Sequence, residues 1–147
     1  MNLSDKLSSD EMCFACGSKN PISLQLNFNY YEDNKVKAEF KPHKNLQGFQ
    51  DILHGGITST VLDEAMAKVI NMQGIKAVTA EINVRFKQAV PVEKEYVVQG
   101  ILKKQKKKLI FTESFLKDKN DNLYASATAK FMEIGNNYKI SYDVGCR

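Results

Sequence analysis

The chain has 147 residues and a formal net charge of +4, with 43% hydrophobic and 26% charged residues. That length fits a single domain spanning 1–147, able to bury roughly two thirds of its surface without staples, and the composition is that of an ordinary globular protein. No run of about 18 apolar residues marks a transmembrane helix, the first ten residues lack an apolar signal core, and the odd number of cysteines, three, argues against a disulfide framework and fits a reducing, cytoplasmic compartment.

In chain order, a polar lead over 1–12 is expected to be loose. It is followed by Cys13-Phe14-Ala15-Cys16-Gly17 and Asn20-Pro21. A C-x-x-C-G turn can be half of a zinc site, but a complete structural site takes four ligands. The other candidates, Cys146, His43 and His54, stand at no recognisable partner spacing. A structural turn with inert thiols is the favoured reading, ahead of a metal site within one chain or shared between subunits, and of redox work, which would call for a βαβ context. Leu24, Leu26, Phe28 and Tyr30 alternate with polar residues and predict a half-buried strand. Glu32-Asp33-Asn34 makes a turn, Val36, Ala38 and Phe40 continue as the second arm of a hairpin, and Pro42 ends it. A loop over 43–53 carries Asn45 and Gln47 just ahead of a helix; the favoured reading is that they satisfy loop backbone, and the second is that they hold a water or a carbonyl.

That helix is the organising element. From Ile57 to Met72 there is no Gly or Pro, and Ile57, Val61, Leu62, Ala65, Met66, Val69 and Ile70 recur at helical spacing. Gly74 supplies the stop. At the helix start, His54-Gly55-Gly56 offers backbone N–H groups without intrahelical partners at the positive end of the dipole, which suits a negative oxygen. Asp63 falls almost two turns after Gly56 on the same side, with the small residues Ser59, Thr60 and Ala67 around it. A helix with a glycine start and one polar residue explains the pattern equally well. Glu64 and Lys68 are spaced i,i+4, which reads as a surface ion pair.

Beyond Gly74 the chain turns β. Ala80, Ile82, Val84 and Phe86 alternate with Thr79, Glu81, Asn83 and Arg85. Pro91 breaks that run, and Tyr96 to Leu102, Leu109 to Leu116 and Leu123 to Met132 predict three more strands. The turns are the lysine run 103–108 and Lys117-Asp118-Lys119-Asn120-Asp121-Asn122. The lysine run reads first as a solvated hairpin tip and second as a phosphate contact. Nothing resembles a nucleic-acid-binding motif. The tail over 135–147 is expected to be loose. Two strands, one long helix and four strands give an α+β fold: an antiparallel sheet of about six strands wrapped around one central helix.

The arrangement Leu53-His54-Gly55-Gly56 followed by Asp63-Glu64-Ala65-Met66 resembles the hotdog-fold acyl-CoA thioesterases of the phenylacetate-degradation (PaaI-like) type. The lead Cys13-Phe14-Ala15-Cys16-Gly17 with Asn20-Pro21 is similar to a branch related to the mammalian thioesterase-superfamily proteins. The resemblance spans about residues 13 to 134. It implies a hydrolase of acyl-CoA that works as a homodimer, or as a tetramer of two hotdog dimers. Sheets would join through the long strand after the helix, and sites would lie between subunits. It makes Asp63 the catalytic carboxylate, as general base or nucleophile, and the Gly55 N–H the oxyanion donor. Thr79 becomes an orienting hydroxyl, Gln47 the loop amide, and His54 a residue at the helix start that can contact the carbonyl site. Gly56, Thr60, Leu62 and Met66 would line the acyl path, with Lys106 and Lys107 as candidate contacts for coenzyme A phosphates. No cofactor, metal, nucleic acid or membrane is implied. A non-catalytic acyl-CoA-binding hotdog protein is the main alternative, and a hotdog dehydratase or hydratase a weaker one, since the helix carries no histidine beyond His54.

Overall fold

A computed structural model describes residues 11–135. The expectations for the polar lead and the tail, and Cys146, lie largely or wholly outside these residues. The elements are β1 (Asn29–Glu32), β2 (Lys35–Phe40), a 3-10 turn (Lys44–Leu46), α1 (Gly55–Asn71), β3 (Ala77–Phe86), β4 (Tyr96–Lys106), β5 (Leu109–Asp118) and β6 (Leu123–Glu133). The strands form one sheet in the order β1-β2-β4-β5-β6-β3, with every neighbouring pair antiparallel. The concave face of the sheet wraps around α1, which packs on β2 through β6. This is the hotdog architecture.

The helix forms where the apolar spacing predicts it. Val61, Leu62, Ala65, Met66, Val69 and Ile70 are all buried, and each of the larger side chains contributes about 1.5–3 kcal/mol through burial. Two glycines at the start are poor helix formers, so the capping has to come from elsewhere. His54 is the N-cap, and its Nδ1 accepts from the Gly56 N–H at 2.9 Å. At the far end the helix finishes at Asn71, and Gly74 takes φ +79°, a left-handed conformation that glycine adopts without strain. Helix and sheet approach closely at Gly100 on β4. A Cβ built there would lie 2.1 Å from the Ala65 carbonyl oxygen, so only glycine fits.

Three expectations are corrected. The alternation from Leu24 to Tyr30 is half strand only. Leu26 and Phe28 are buried as it requires, but the Leu24 and Leu26 N–H groups donate to Phe14 and Ala15 carbonyls at 2.8 and 3.0 Å. Local pairing with the cysteine loop thus replaces a ladder, and β1 begins only at Asn29. The lysine run is mostly strand. β4 continues to Lys106 and the turn is confined to Lys107 and Lys108, with Lys103 paired to Glu113 at 3.2 Å and Lys104 over the Phe111 ring. Lastly, β3 carries a bulge between Thr79 and Glu81. The extra residue reverses the side-chain alternation. Thr79 therefore pairs with buried Phe131 and shares the inner face with Ile82, Val84 and Phe86, which pair with Ala129, Ala127 and Ala125. Simple alternation puts Thr79 on the opposite face from those residues.

Candidate active site

The bulge decides the site. It turns the Thr79 hydroxyl toward α1, where Oγ1 donates to Asp63 Oδ1 at 3.0 Å. Asp63 is half-buried, and burial pushes its carboxyl above the ordinary aspartate value while the Thr79 hydrogen bond pulls it partly back. A carboxylate held by one hydroxyl and partly stripped of water is a better base than a solvated one.

At the helix start the N–H groups are not equivalent. His54 Nδ1 takes the Gly56 N–H, and the His54 carbonyl takes those of Ile57 and Thr58 at 2.9 and 3.1 Å. That corrects the expectation that the Gly56 N–H is open to a ligand. The Gly55 N–H makes no hydrogen bond among the described residues, and Gly55 is exposed. One donor therefore remains at the positive end of the dipole. Phe86, 53% exposed at the end of β3, covers Gly55: a Cβ there would meet its ring at 3.6 Å. Sequence alternation placed Phe86 on β3 but gave no sign of its position over the oxyanion donor.

Other expected residues settle as follows. His54 Nδ1 is taken up by the Gly56 N–H, so this nitrogen serves the cap. Gln47 Oε1 accepts from the Asp51 N–H at 3.1 Å, bracing the loop at a residue with φ +61°. Its amide NH2 has no partner among the described residues. Thr60 Oγ1 donates to the Gly56 carbonyl at 2.9 Å, and Ser59 does the same to Gly55, so both hydroxyls are tied to the helix backbone. Leu62 and Met66 are fully buried. They pack the core and present no surface to an acyl chain, because their rows on the helix face the sheet. Within one chain, Lys106 and Lys107 stand far from Gly55. Their hairpin tip lies beside Glu133, whose N–H donates to the Lys108 carbonyl, at the end of the sheet where β3 begins. Gly55 lies against Phe86, where β3 ends, about 30 Å along that strand at 3.3 Å per residue.

Glu64 departs most from its expectation. Its side chain is only 16% exposed and 3.9 Å from Lys68, so the pair is no surface pair. The C-x-x-C turn covers it, and Cys13, Cys16 and Glu64 offer ligand atoms all within 4.8 Å of one another. Burial first, and hydrogen bonds to Glu64 and Cys13 next, push the Cys16 thiol up to about 12, the opposite of a reactive thiolate.

A family model described as the thioesterase superfamily matches residues 50–125, from the loop before α1 to β6. The chain belongs to the thioesterase superfamily. Acyl-coenzyme A thioesterase THEM4 of Mus musculus is 28% identical over 108 residues, covering 73% of this chain and 46% of that protein. The chain thus spans about half the length of the curated relatives it matches. Zebra fish thioesterase superfamily member 2 superposes with a TM-score of 0.70 at 22% identity, over 80% of this chain and 86% of that one. A hypothetical thioesterase protein from Streptococcus pneumoniae TIGR4, solved with coenzyme A, gives 0.70 at 16% identity over 75% and 89%. At these identities the structural likeness is one of fold.

Proposed function

We propose that the chain is an acyl-CoA thioesterase, releasing a carboxylic acid and coenzyme A, with Asp63 as general base or nucleophile and the Gly55 N–H as oxyanion donor. The observation that carries this reading is Asp63 itself: a half-buried carboxylate with a raised pKa, fixed by Thr79, on the helix whose exposed end keeps one free N–H. A thioester carbonyl lacks amide-like resonance, so modest activation of water is enough. The curated relatives are acyl-coenzyme A thioesterases. The Streptococcus pneumoniae protein has been solved with an aspartate replaced by alanine and, separately, with a threonine replaced by alanine, and those two positions have the same separation in sequence as Asp63 and Thr79.

One chain cannot complete this site. Gly55 and Asp63 are eight residues apart on α1, about 12 Å at 1.5 Å per residue, whereas a water attacking a carbonyl held at Gly55 must sit about 3 Å from it. Two copies solve the problem. β3 is a sheet edge, ten residues long, with Ile82 and Phe86 exposed, a surface suited to pairing with a second β3. An antiparallel two-fold pairing runs the two helices in opposite directions, so the Gly55 end of one approaches the middle of the other, where Asp63 lies. The reading is therefore a homodimer with two composite sites.

Thiol release from short, long and aryl acyl-CoAs, compared between the wild type and Asp63→Asn, tests it. Turnover that disappears in the variant supports the thioesterase reading. Binding of acyl-CoA without turnover in the wild type would replace it with a non-catalytic acyl-CoA-binding protein.

A further inference from the structure

The cysteine turn lies apart from the reaction just described, and its geometry is that of a metal clasp. Gly17 closes the turn, with its N–H donating to the Cys13 carbonyl at 2.8 Å. A Cβ at this position would lie 2.4 Å from the Glu11 carbonyl oxygen and 2.5 Å from that of Cys13, so the C-x-x-C-G curl forms only with glycine. Asn20 holds the rest of the loop. Its Nδ2 donates to the Met12 carbonyl and its Oδ1 accepts from the Ile22 N–H, both at 3.0 Å. The curl lays both thiols against α1 at Glu64, and the three donor atoms fall within 4.8 Å of one another. Around a tetrahedral zinc ion, with Zn–S about 2.3 Å and Zn–O about 2.1 Å, the donors stand about 3.6–3.8 Å apart, so sub-ångström rotations of the side chains close the set.

We propose that Cys13, Cys16 and Glu64 bind one zinc ion, with water at the fourth position, fastening the segment before β1 to the central helix. The donor chemistry selects the ion: two thiolates favour zinc over magnesium or calcium, and one carboxylate is an ordinary third ligand. Charge fits as well. Two thiolates, a carboxylate and a dication sum to −1, and the Lys68 ammonium, 3.9 Å from Glu64, balances it. Glu64 is one residue, and about 100° of helix rotation, from Asp63. The clasp therefore serves the position of the helix and takes no part in the chemistry of Asp63.

The test uses the full chain, purified under a non-chelating reductant, with zinc and cobalt(II) as probes. Expected are one tightly held zinc per chain by elemental analysis after desalting, and a thiolate-to-cobalt charge-transfer band with the visible bands of a tetrahedral site. Cys16→Ser should weaken cobalt binding at least 100-fold and Glu64→Gln about 10-fold. Added zinc should raise the melting temperature of the wild type by about 5 °C or more and leave Cys16→Ser unmoved. Circular dichroism of both variants establishes that they fold. Fully reduced, folded wild type that retains no zinc and gives no charge-transfer band overturns the proposal, as does Glu64→Gln binding cobalt as tightly as the wild type. Neither result bears on acyl-CoA hydrolysis.

Discussion

At the residue scale, Gly55 admits an unusually clean test. It is the first helical residue, a position where proline is well tolerated, and the preceding His54 already has the extended backbone, φ −58° and ψ 131°, that a proline requires of its predecessor. Gly55→Pro should keep the melting temperature within a few degrees while removing the one free N–H, with kcat expected to fall about 100-fold or more. Thr79 sets the carboxylate. Its hydrogen bond favours the ionised form of Asp63, so Thr79→Val should raise that pKa further. The acid limb of the pH–rate profile, where Asp63 takes up its proton, then moves to higher pH. Stability follows the opposite sense from activity. Because the folded pKa of Asp63 lies above its ordinary value, the folded chain binds this proton more tightly than the unfolded chain does. Stability from this group is lost as pH rises from the ordinary aspartate range through the raised value. At neutral pH Asp63→Asn should therefore melt at or slightly above the wild type, and the gap should close as pH falls through that window, as read by thermal denaturation.

At the scale of elements, the contact of α1 with β4 and the bulge in β3 do most of the positioning. Gly100→Ala drives a methyl group into the Ala65 carbonyl, backbone against backbone, with no flexible side chain to give way. Urea denaturation should show a loss of about 2–3 kcal/mol. The Asp118 turn illustrates the reverse case, in which local chemistry suffices. Its carboxylate accepts from the Asn120 and Asn122 N–H groups at 2.9 Å and from Asn122 Nδ2, which holds its own carboxyl below the usual range and closes the β5–β6 hairpin without help from the core.

At the largest scale, the proposed composite site makes a prediction of its own. If each site takes Gly55 from one copy and Asp63 from the other, a dimer of Asp63→Asn with Gly55→Pro holds one intact site and one doubly damaged site. Mixing and refolding the two inactive variants should then restore about a quarter of wild-type activity, since half the dimers are mixed and each has one working site of two. No recovery in mixtures shown to exchange subunits would place both groups in the same chain.

Elements whose signals are local can be read from the order of amino acids alone. The helix over Ile57 to Met72, its apolar face and its glycine stop were legible because 3.6-residue periodicity records which side is buried. The strand alternation of β2, β5 and β6 recorded the sheet in the same way, and the order of elements gave the antiparallel α+β fold. The HGG-to-aspartate spacing pointed to Asp63 and Gly55, and on one helix that spacing already sets them about 12 Å apart. Which residues meet across elements follows from packing in three dimensions. An irregularity of one residue in β3 brings Thr79 to Asp63, although strict alternation would turn it away. The His54 cap consumes the Gly56 N–H and leaves that of Gly55. Leu62 and Met66 turn into the core against the sheet. The C-x-x-C turn finds its third donor in Glu64, 48 positions beyond Cys16, where no ligand-spacing rule reaches. The physical reason is the same throughout: periodicity encodes burial along one element, whereas register, capping and the meeting of distant side chains are fixed by how the elements pack.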